Sequence, residues 1–505
     1  MNLPLEVMNQ MYKKLFIISL LLILASCKPE VHEDILAEKG SVDQGGITLF
    51  PKSSYGYIGD PMPFYDEGVM NMFYLLDERG GTIGFHPFAL LQTTDFLTWT
   101  DHGTVIPYVN NISFQDLALG TGSVIKDKEG LYHAFYTGHN SRGLMPFFEK
   151  IQHATSTDLI NWTKHPENGF FGGVNDFRDP YIYYDEPSDE YWMLITTRDS
   201  YGGIIRRYTS PDLITWTNAG VFYRNPEGSY NMECPTLIYF NGYYYLSFSA
   251  QGTTNQRVVH YRYTDDLSKE FIIPEQDYFD GWGFYAGRIE KIESRLVLNG
   301  WVGTKSLDRD FGNYMWAGHL VTHELIQSED GTLQPKLLKE IDEKLSTEVK
   351  YSVSNTNLLN TTNGYMFNEK QGYGYVLFEE LLERPTKMTF KVDLTDTTNF
   401  GITYNAYDST FGNLNIYFDL QNQLIEFYRV DSNLIKQSNS EIRIPFDFSL
   451  LQELEVKVVT EGTVVIVYIN EKIAITSRAY DMANSSFGFF TLGSKTKIYD
   501  VHFYE

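Results

Sequence analysis

The chain has 505 residues, enough for two or three domains, and it is dense in aromatics, with 37 tyrosines and 34 phenylalanines, so it can bury a large core. Acidic residues number 65 against 40 basic ones, a formal charge of −25 at pH 7; such a chain repels phosphate backbones and, with no basic cluster, is excluded from general nucleic-acid binding. Only two cysteines occur, Cys27 and Cys234, which excludes a disulfide framework.

Lys13-Lys14 lead into an apolar run, Leu15 to Leu24, that is too short to span a bilayer comfortably and closes on Ala25-Ser26-Cys27. That is the form of an export signal, and Met11 offers a second start for it. Leu24-Ala25-Ser26-Cys27 resembles a bacterial lipobox. The resemblance implies that residues 1–27 are a lipoprotein signal peptide and that Cys27 is lipidated as the first mature residue. The protein is then exported and held to the cell envelope by its lipid, at the periplasmic face or the cell surface. Residues 28–46 are polar and acidic with a Gly-Gly end and read as a tether.

Residues 47–338 show almost no helical periodicity. Short aromatic or β-branched runs alternate with Gly, Asp, Asn and Pro turns, which predicts an all-β domain. Internal repeats set the architecture. One series is Thr94-Asp95-Phe96-Leu97-Thr98-Trp99, Thr157-Asp158-Leu159-Ile160-Asn161-Trp162 and Pro211-Asp212-Leu213-Ile214-Thr215-Trp216, with a weaker copy at Asp265-Asp266-Leu267. Out of phase with it run five strand-like segments: Met70 to Asp77, Leu131 to Gly138, Tyr191 to Thr197, Tyr243 to Ser249 and Leu296 to Val302. A period of roughly 55–60 residues with about four strands per unit predicts a five-bladed β-propeller. In that layout the innermost strands meet at one axial funnel. Residues 339–350 are polar and read as a linker. Residues 351–505 return to alternating runs and read as a C-terminal β-sandwich.

The starts of the five units carry the candidate chemistry. They read Gly59-Asp60-Pro61, Gly120-Thr121-Gly122-Ser123, Phe177-Arg178-Asp179-Pro180, Met232-Glu233-Cys234-Pro235 and Phe284-Tyr285-Ala286-Gly287. Aligned by unit, three of the five place a carboxylate at the funnel. Turn chemistry repeated by duplication explains one such match well and three poorly. Carboxylates of unlike pKa, one ionised and one protonated, are what cleavage of a glycosidic bond requires. Arg178 is the local cation beside Asp179, and Trp282, Phe284, Tyr285 and Trp301 suit an apolar wall.

These motifs, in this order, resemble glycoside hydrolase family 32, the invertase, levanase and inulinase group. Asp60-Pro61 stands at the family's Asn-Asp-Pro-Asn-Gly motif, Arg178-Asp179-Pro180 at its Arg-Asp-Pro motif and Glu233-Cys234 at its Glu-Cys motif. The stretch Asp280 to Ala286, then Asn299-Gly300-Trp301 and Met315 to Gly318, continue the likeness, and Val464 to Asp481 is similar to the family's sandwich. The resemblance implies Asp60 as nucleophile, Glu233 as general acid and then base, and Asp179 as transition-state stabiliser with Arg178 beside it. Arg178, Thr121, Ser123, Trp282, Tyr285 and Trp301 would bind substrate. It implies retaining hydrolysis of β-fructofuranosyl linkages in sucrose or in levan or inulin. No metal or cofactor is needed, and no His/Cys cluster offers a zinc site. The departures fall on sugar-contacting positions: both asparagines of the first motif are missing, Leu75 replaces a glutamine, and Gly120-Thr121-Gly122-Ser123 replaces Phe-Ser-Gly-Ser. His86 is either a sugar contact or a hydrogen-bonded structural histidine. Two other readings use the same scaffold. One is an inverting furanosidase resembling family 43 arabinofuranosidases or xylosidases. The other is a surface glycan-binding lipoprotein without activity.

Overall fold

A computed structural model describes residues 46–505 other than 81, 143–144, 175, 227, 229, 253–256, 359–363 and 407–409, together with the backbone of Val42–Asp43. The signal peptide, Cys27 and nearly all of the tether lie outside the described residues. Among the described residues no helix is long and apolar enough to cross a membrane.

The chain is all-β. Each of the five strand-like segments is the second strand of an antiparallel hairpin: Val69–Asp77, Tyr132–His139, Glu190–Asp199, Tyr243–Gln251 and Arg295–Lys305. The first, inner strands of these hairpins are Tyr57–Asp66, Ala118–Lys126, Arg178–Asp185, Asn231–Phe240 and Phe284–Ile292. Each inner strand packs beside the next in order, and Phe284–Ile292 packs beside Tyr57–Asp66. The second strands are sandwiched between neighbours on both faces, which is why they read as almost unbroken apolar runs; Met70 to Leu76 is buried throughout. First and last units join in one sheet through the pairing of Gly318 with Ile58.

The Asp-containing repeats are turns, not chemistry. In each, the aspartate turns back onto its own backbone. The Asp95 carboxylate accepts from the N–H groups of Leu97 (2.9 Å) and Thr98 (2.7 Å), Asp158 from Ile160 (3.0 Å) and Asn161 (2.7 Å), and Asp212 from Ile214 (2.9 Å) and Thr215 (2.8 Å). The residue after each aspartate buries an apolar side chain: Phe96, Leu159 and Leu213.

Residues 339–350 are built into the fold. Lys339–Lys344 is a helix with Ile341 buried, Asp342 bonds Lys387 (2.6 Å) and Lys457 (2.9 Å), and Glu348–Val349 pairs with the last strand, Lys497–Tyr504. Beyond it, two seven-stranded sheets enclose a core of Ile, Val, Leu and Phe. The seam between this sandwich and the inner-strand body is largely apolar, with Val464, Ile466 and Ala474 packed into one cluster with Phe279 and Phe284, and it also holds a buried polar group. Asp280 and His323 are wholly buried. Asp280 accepts from the Thr476 N–H (2.8 Å) and hydroxyl (2.5 Å) and faces His323 Nε2 at 3.1 Å, while His323 Nδ1 meets the Tyr468 hydroxyl at 2.8 Å.

That seam relocates one expected site residue. Trp282 donates its indole N–H to the Glu441 carbonyl (2.6 Å) and packs edge-on against Tyr314. It follows Asp280 by two residues, so anchoring Asp280 on the sandwich carries Trp282 into the seam and away from the funnel.

Candidate active site

Every inner strand carries one extra residue at the same place. In the first ladder Gly59 pairs with Leu75 and Met62 with Phe73, so Asp60 and Pro61 together face one partner. The same bulge falls on Thr121-Gly122, Asp179-Pro180, Cys234-Pro235 and Ala286-Gly287. Such bulges bend a strand and re-aim a side chain. In four of the five the first bulged residue is held at positive φ: Asp60 (40°), Asp179 (58°), Cys234 (54°) and Ala286 (51°). That conformation costs a non-glycine residue roughly 1–2 kcal/mol and is stored at the funnel.

The bulges correct the alignment expected from the sequence. Cys234, not Glu233, occupies the position of Asp60 and Asp179. Glu233 sits one residue earlier, level with Gly59, Gly120, Arg178 and Tyr285. The site therefore has two tiers. In the upper one, Glu233 is held by the equivalent residues of the strands on either side: Arg178 Nη2 donates to Oε1 at 2.8 Å and the Tyr285 hydroxyl to Oε2 at 2.5 Å. In the lower one, the Thr121 hydroxyl donates to Asp60 Oδ2 (2.8 Å) and the Cys234 N–H to Asp179 Oδ2 (3.0 Å). Trp301, paired across the ladder from Tyr285, donates its indole N–H to Asp60 Oδ1 at 3.1 Å.

Arg178 serves the glutamate more closely than the aspartate. Beyond Glu233 it reaches Asp176 at 3.0 Å and Glu149 at 3.7 Å, and Asp179 only at 4.0 Å. Burial works against its charge, but Asp179, Glu233 and Glu149 outweigh that and hold its pKa above the ordinary arginine value. Burial raises the Asp60 carboxyl above the usual aspartate range; the Thr121 hydroxyl pulls it back and the Glu233 charge adds to the rise. Asp179 is also raised, chiefly by burial, with Arg178 opposing and Glu233 reinforcing. Cys234 is 2 % exposed, and burial followed by the Asp179 and Asp60 charges pushes its thiol well up, so it is a neutral floor residue.

These groups open onto a cavity of about 440 Å³, within the range of small-ligand sites. Asp60, Thr121, Arg178, Asp179, Glu233 and Tyr285 line it. Ser123 does not: its hydroxyl accepts the Ile182 N–H at 3.0 Å and props one inner strand on the next. Trp301 is not among the residues that line the cavity and meets them through its hydrogen bond to Asp60. Sequence reasoning missed Glu149, Gln251 and Arg257, which also line the cavity. A positional signal existed for two of them. Second strands run antiparallel to inner strands, so they end, as at Gln251, where inner strands begin, and third strands start there, as at Glu149. Leu75 and His86 line the cavity as well. His86 stacks on Trp316 with ring centroids 4.2 Å apart, and burial lowers its pKa to about 4, so it is neutral. Gly59 permits this wall: a Cβ there would lie 2.3 Å from the Trp316 ring. Among the described residues no set of three or more His, Cys, Asp or Glu side chains is arranged to hold a metal ion.

A cavity of sugar size, floored by two aspartates and edged by a glutamate on an all-β scaffold, is the arrangement that glycosidases use. Residues 52–338 match the family model described as the glycosyl hydrolases family 32 N-terminal domain, and the chain belongs to glycoside hydrolase family 32. It is similar to a sucrose-6-phosphate hydrolase of Vibrio alginolyticus, 26 % identical over 337 residues, covering 62 % of this chain and 68 % of that one. It is similar also to an insoluble β-fructofuranosidase isoenzyme of Daucus carota, 24 % identical over 344 residues, covering 62 % of this chain but 58 % of the carrot protein. The fold matches fructan 1-exohydrolase IIa from Cichorium intybus with a TM-score of 0.68 at 17 % identity, over 92 % of this chain and 97 % of that one.

Proposed function

We propose that the protein hydrolyses β-fructofuranosyl linkages in sucrose or fructans with retention of configuration. The observation that carries the reading is the two-tier carboxylate cluster: Asp60 on the floor, hydrogen-bonded by Thr121 and Trp301, and Glu233 above it, held by Arg178 and Tyr285. Asp60 attacks the anomeric carbon while Glu233 protonates the departing oxygen. Glu233 then takes a proton from the water that releases the fructosyl group from Asp60. Asp179 holds sugar hydroxyls and stabilises the charge that develops on the ring. We read the five packed inner strands as the axis of a five-bladed propeller, which is what brings residues so distant in sequence to one funnel.

The nucleophile must be ionised, and this sets the acid limb of the pH profile. The Thr121 hydroxyl stabilises the Asp60 carboxylate, so Thr121→Val lets burial raise the Asp60 pKa further. The ionised form is then lost at higher pH as acid is added. The acid limb of kcat/KM is expected to move up in this variant, with activity retained on the alkaline side of it. An unmoved limb would separate Thr121 from the nucleophile.

A substrate panel tests the reading as a whole. Release of fructose is expected from sucrose, inulin, levan or an aryl β-fructofuranoside. Release only from aryl arabinofuranosides or xylosides would move the protein to the other furanosidase class. Binding of these sugars without turnover would make it a glycan-binding protein. We further infer that Cys27 carries lipid and holds the exported enzyme to the cell envelope, on the strength of Leu24-Ala25-Ser26-Cys27 after its apolar run. Cys27→Ala should leave the protein unlipidated and move it out of the membrane fraction, read by mass spectrometry of the membrane and soluble fractions.

A further inference from the structure

The loops on the cavity side expose a run of large apolar side chains. Phe85 lines the cavity and is 41 % exposed, and Ile112, Phe114, Phe147 and Phe148 extend from it with exposures of 38, 45, 38 and 63 %. A polar frame holds them. Asn140 donates its side-chain amide to the carbonyls of Ile112 (2.9 Å) and Phe114 (2.7 Å), and its backbone N–H to Phe148 (2.8 Å). Gln115 donates to the Gly138 carbonyl at 3.0 Å and reaches those of Phe147 and Phe148 at 3.3 and 3.4 Å. Phe147 is further fixed by stacking on Phe171, centroids 3.9 Å apart. The rim is continuous with the cavity. His139 and Glu149, both cavity-lining, flank the bonded Asn140 and Phe148 in sequence, and Phe85 exchanges backbone bonds with Leu117 and Leu119 beside Thr121.

We propose that this rim is a binding face for a fructan chain, and that the enzyme's preferred substrates are polymeric fructofuranosides. The inference rests on the fructofuranosidase reading above. A disaccharide fits within the cavity and has no use for rings outside it. A polymer with one unit beside Asp60 and Glu233 must leave across the rim. Sugar rings present C–H faces that pack on aromatic faces, while hydroxyls keep their water at the edges. Water is expelled from apolar surface that otherwise stands exposed, and contiguous exposed apolar patches mark contact sites. The framed carbonyls hold the backbone segments that carry the rings, so little backbone order is lost on binding.

Phe114 and Phe148 lie outside the cavity and are exposed, so the full-length double variant Phe114→Ser/Phe148→Ser tests the face without touching the carboxylates. Its kcat/KM on levan or inulin is expected to fall at least about tenfold, a factor of roughly three to ten for each ring lost. Its kcat/KM on sucrose or an aryl β-fructofuranoside should stay unchanged. Unchanged polymer kinetics, or an equal fall on both substrate sizes, would overturn the proposal. So would a parent dimer that the substitutions dissociate while polymer kinetics stay intact, since the face would then seat a second copy. If the parent cleaves no fructofuranoside at all, the fructofuranosidase reading fails and electrophoresis through gels containing levan or inulin decides the rim separately. Retardation of the parent that the double variant loses supports it, and an unretarded parent overturns it.

Discussion

Asp60→Asn lowers kcat on sucrose or fructan by on the order of 10⁴-fold or more, because the amide cannot form the covalent fructosyl bond and nothing beside it can replace it. The expectation is specific because the substitution disturbs little else. An asparagine keeps the shape, accepts from the Trp301 indole through its oxygen and meets the Thr121 hydroxyl through its amide. Burial raises the Asp60 pKa in the folded protein, so this group contributes stability below its unfolded pKa and loses it as pH rises through the folded one. Wherever the carboxylate is ionised it is therefore a burden on the fold, and Asp60→Asn is expected there to melt at the same temperature as the parent or higher. Lost activity with a maintained or raised Tm assigns Asp60 to chemistry. Retained activity would remove it from the mechanism, and a lowered Tm would point to a structural role.

Glu233→Gln separates proton donation from attack. The glutamine side chain still accepts from Arg178 or Tyr285, so the upper tier keeps its geometry, but it carries no transferable proton. Turnover of sucrose or fructan, whose leaving groups need protonation, is expected to fall on the order of 10³-fold. An aryl β-fructofuranoside has a leaving group that departs unaided, so the first step survives. The second step still lacks its base. The variant should therefore release a burst of the phenol equal to the enzyme present and then stall, with azide restoring turnover by attacking the Asp60-bound sugar without base assistance. Equal losses on both substrates with no burst would take Glu233 out of the acid role.

Much of the fold was legible because it is written in alternation and turns. The five second strands stood out as apolar runs since each is covered on both faces, and the repeated aspartates stood out since each terminates the same turn by bonding its own backbone. The carboxylates were legible as a set, but their register was not. Counting from Glu233 put it level with Asp60 and Asp179, whereas a bulge is defined by the backbone. Proline was the better mark: it follows the bulged residue at Pro61, Pro180 and Pro235, where the ladder needs no N–H. That one-residue difference explains the site's division of labour. A glutamate level with its neighbours' arginine and tyrosine receives their hydrogen bonds, and a cysteine in the bulge gives its N–H to Asp179. Trp282 was misplaced because an aromatic next to a motif is as well suited to a seam as to a funnel, and only the buried partners of Asp280 decide between them. Arg257, whose guanidinium lies 3.4 Å from the Tyr285 ring centroid, comes from a connecting stretch with no periodicity to read.

In the mechanism we propose, Asp60 and Glu233 work as a retaining pair on a β-fructofuranosyl group. Transfer to methanol tests it most directly, because the methyl fructofuranoside formed is stable and its anomer is read by NMR. The mechanism predicts methyl β-fructofuranoside, with two inversions through the Asp60 ester restoring the starting configuration. Methyl α-fructofuranoside as the first product, or hydrolysis with no transfer product at high methanol, would contradict it.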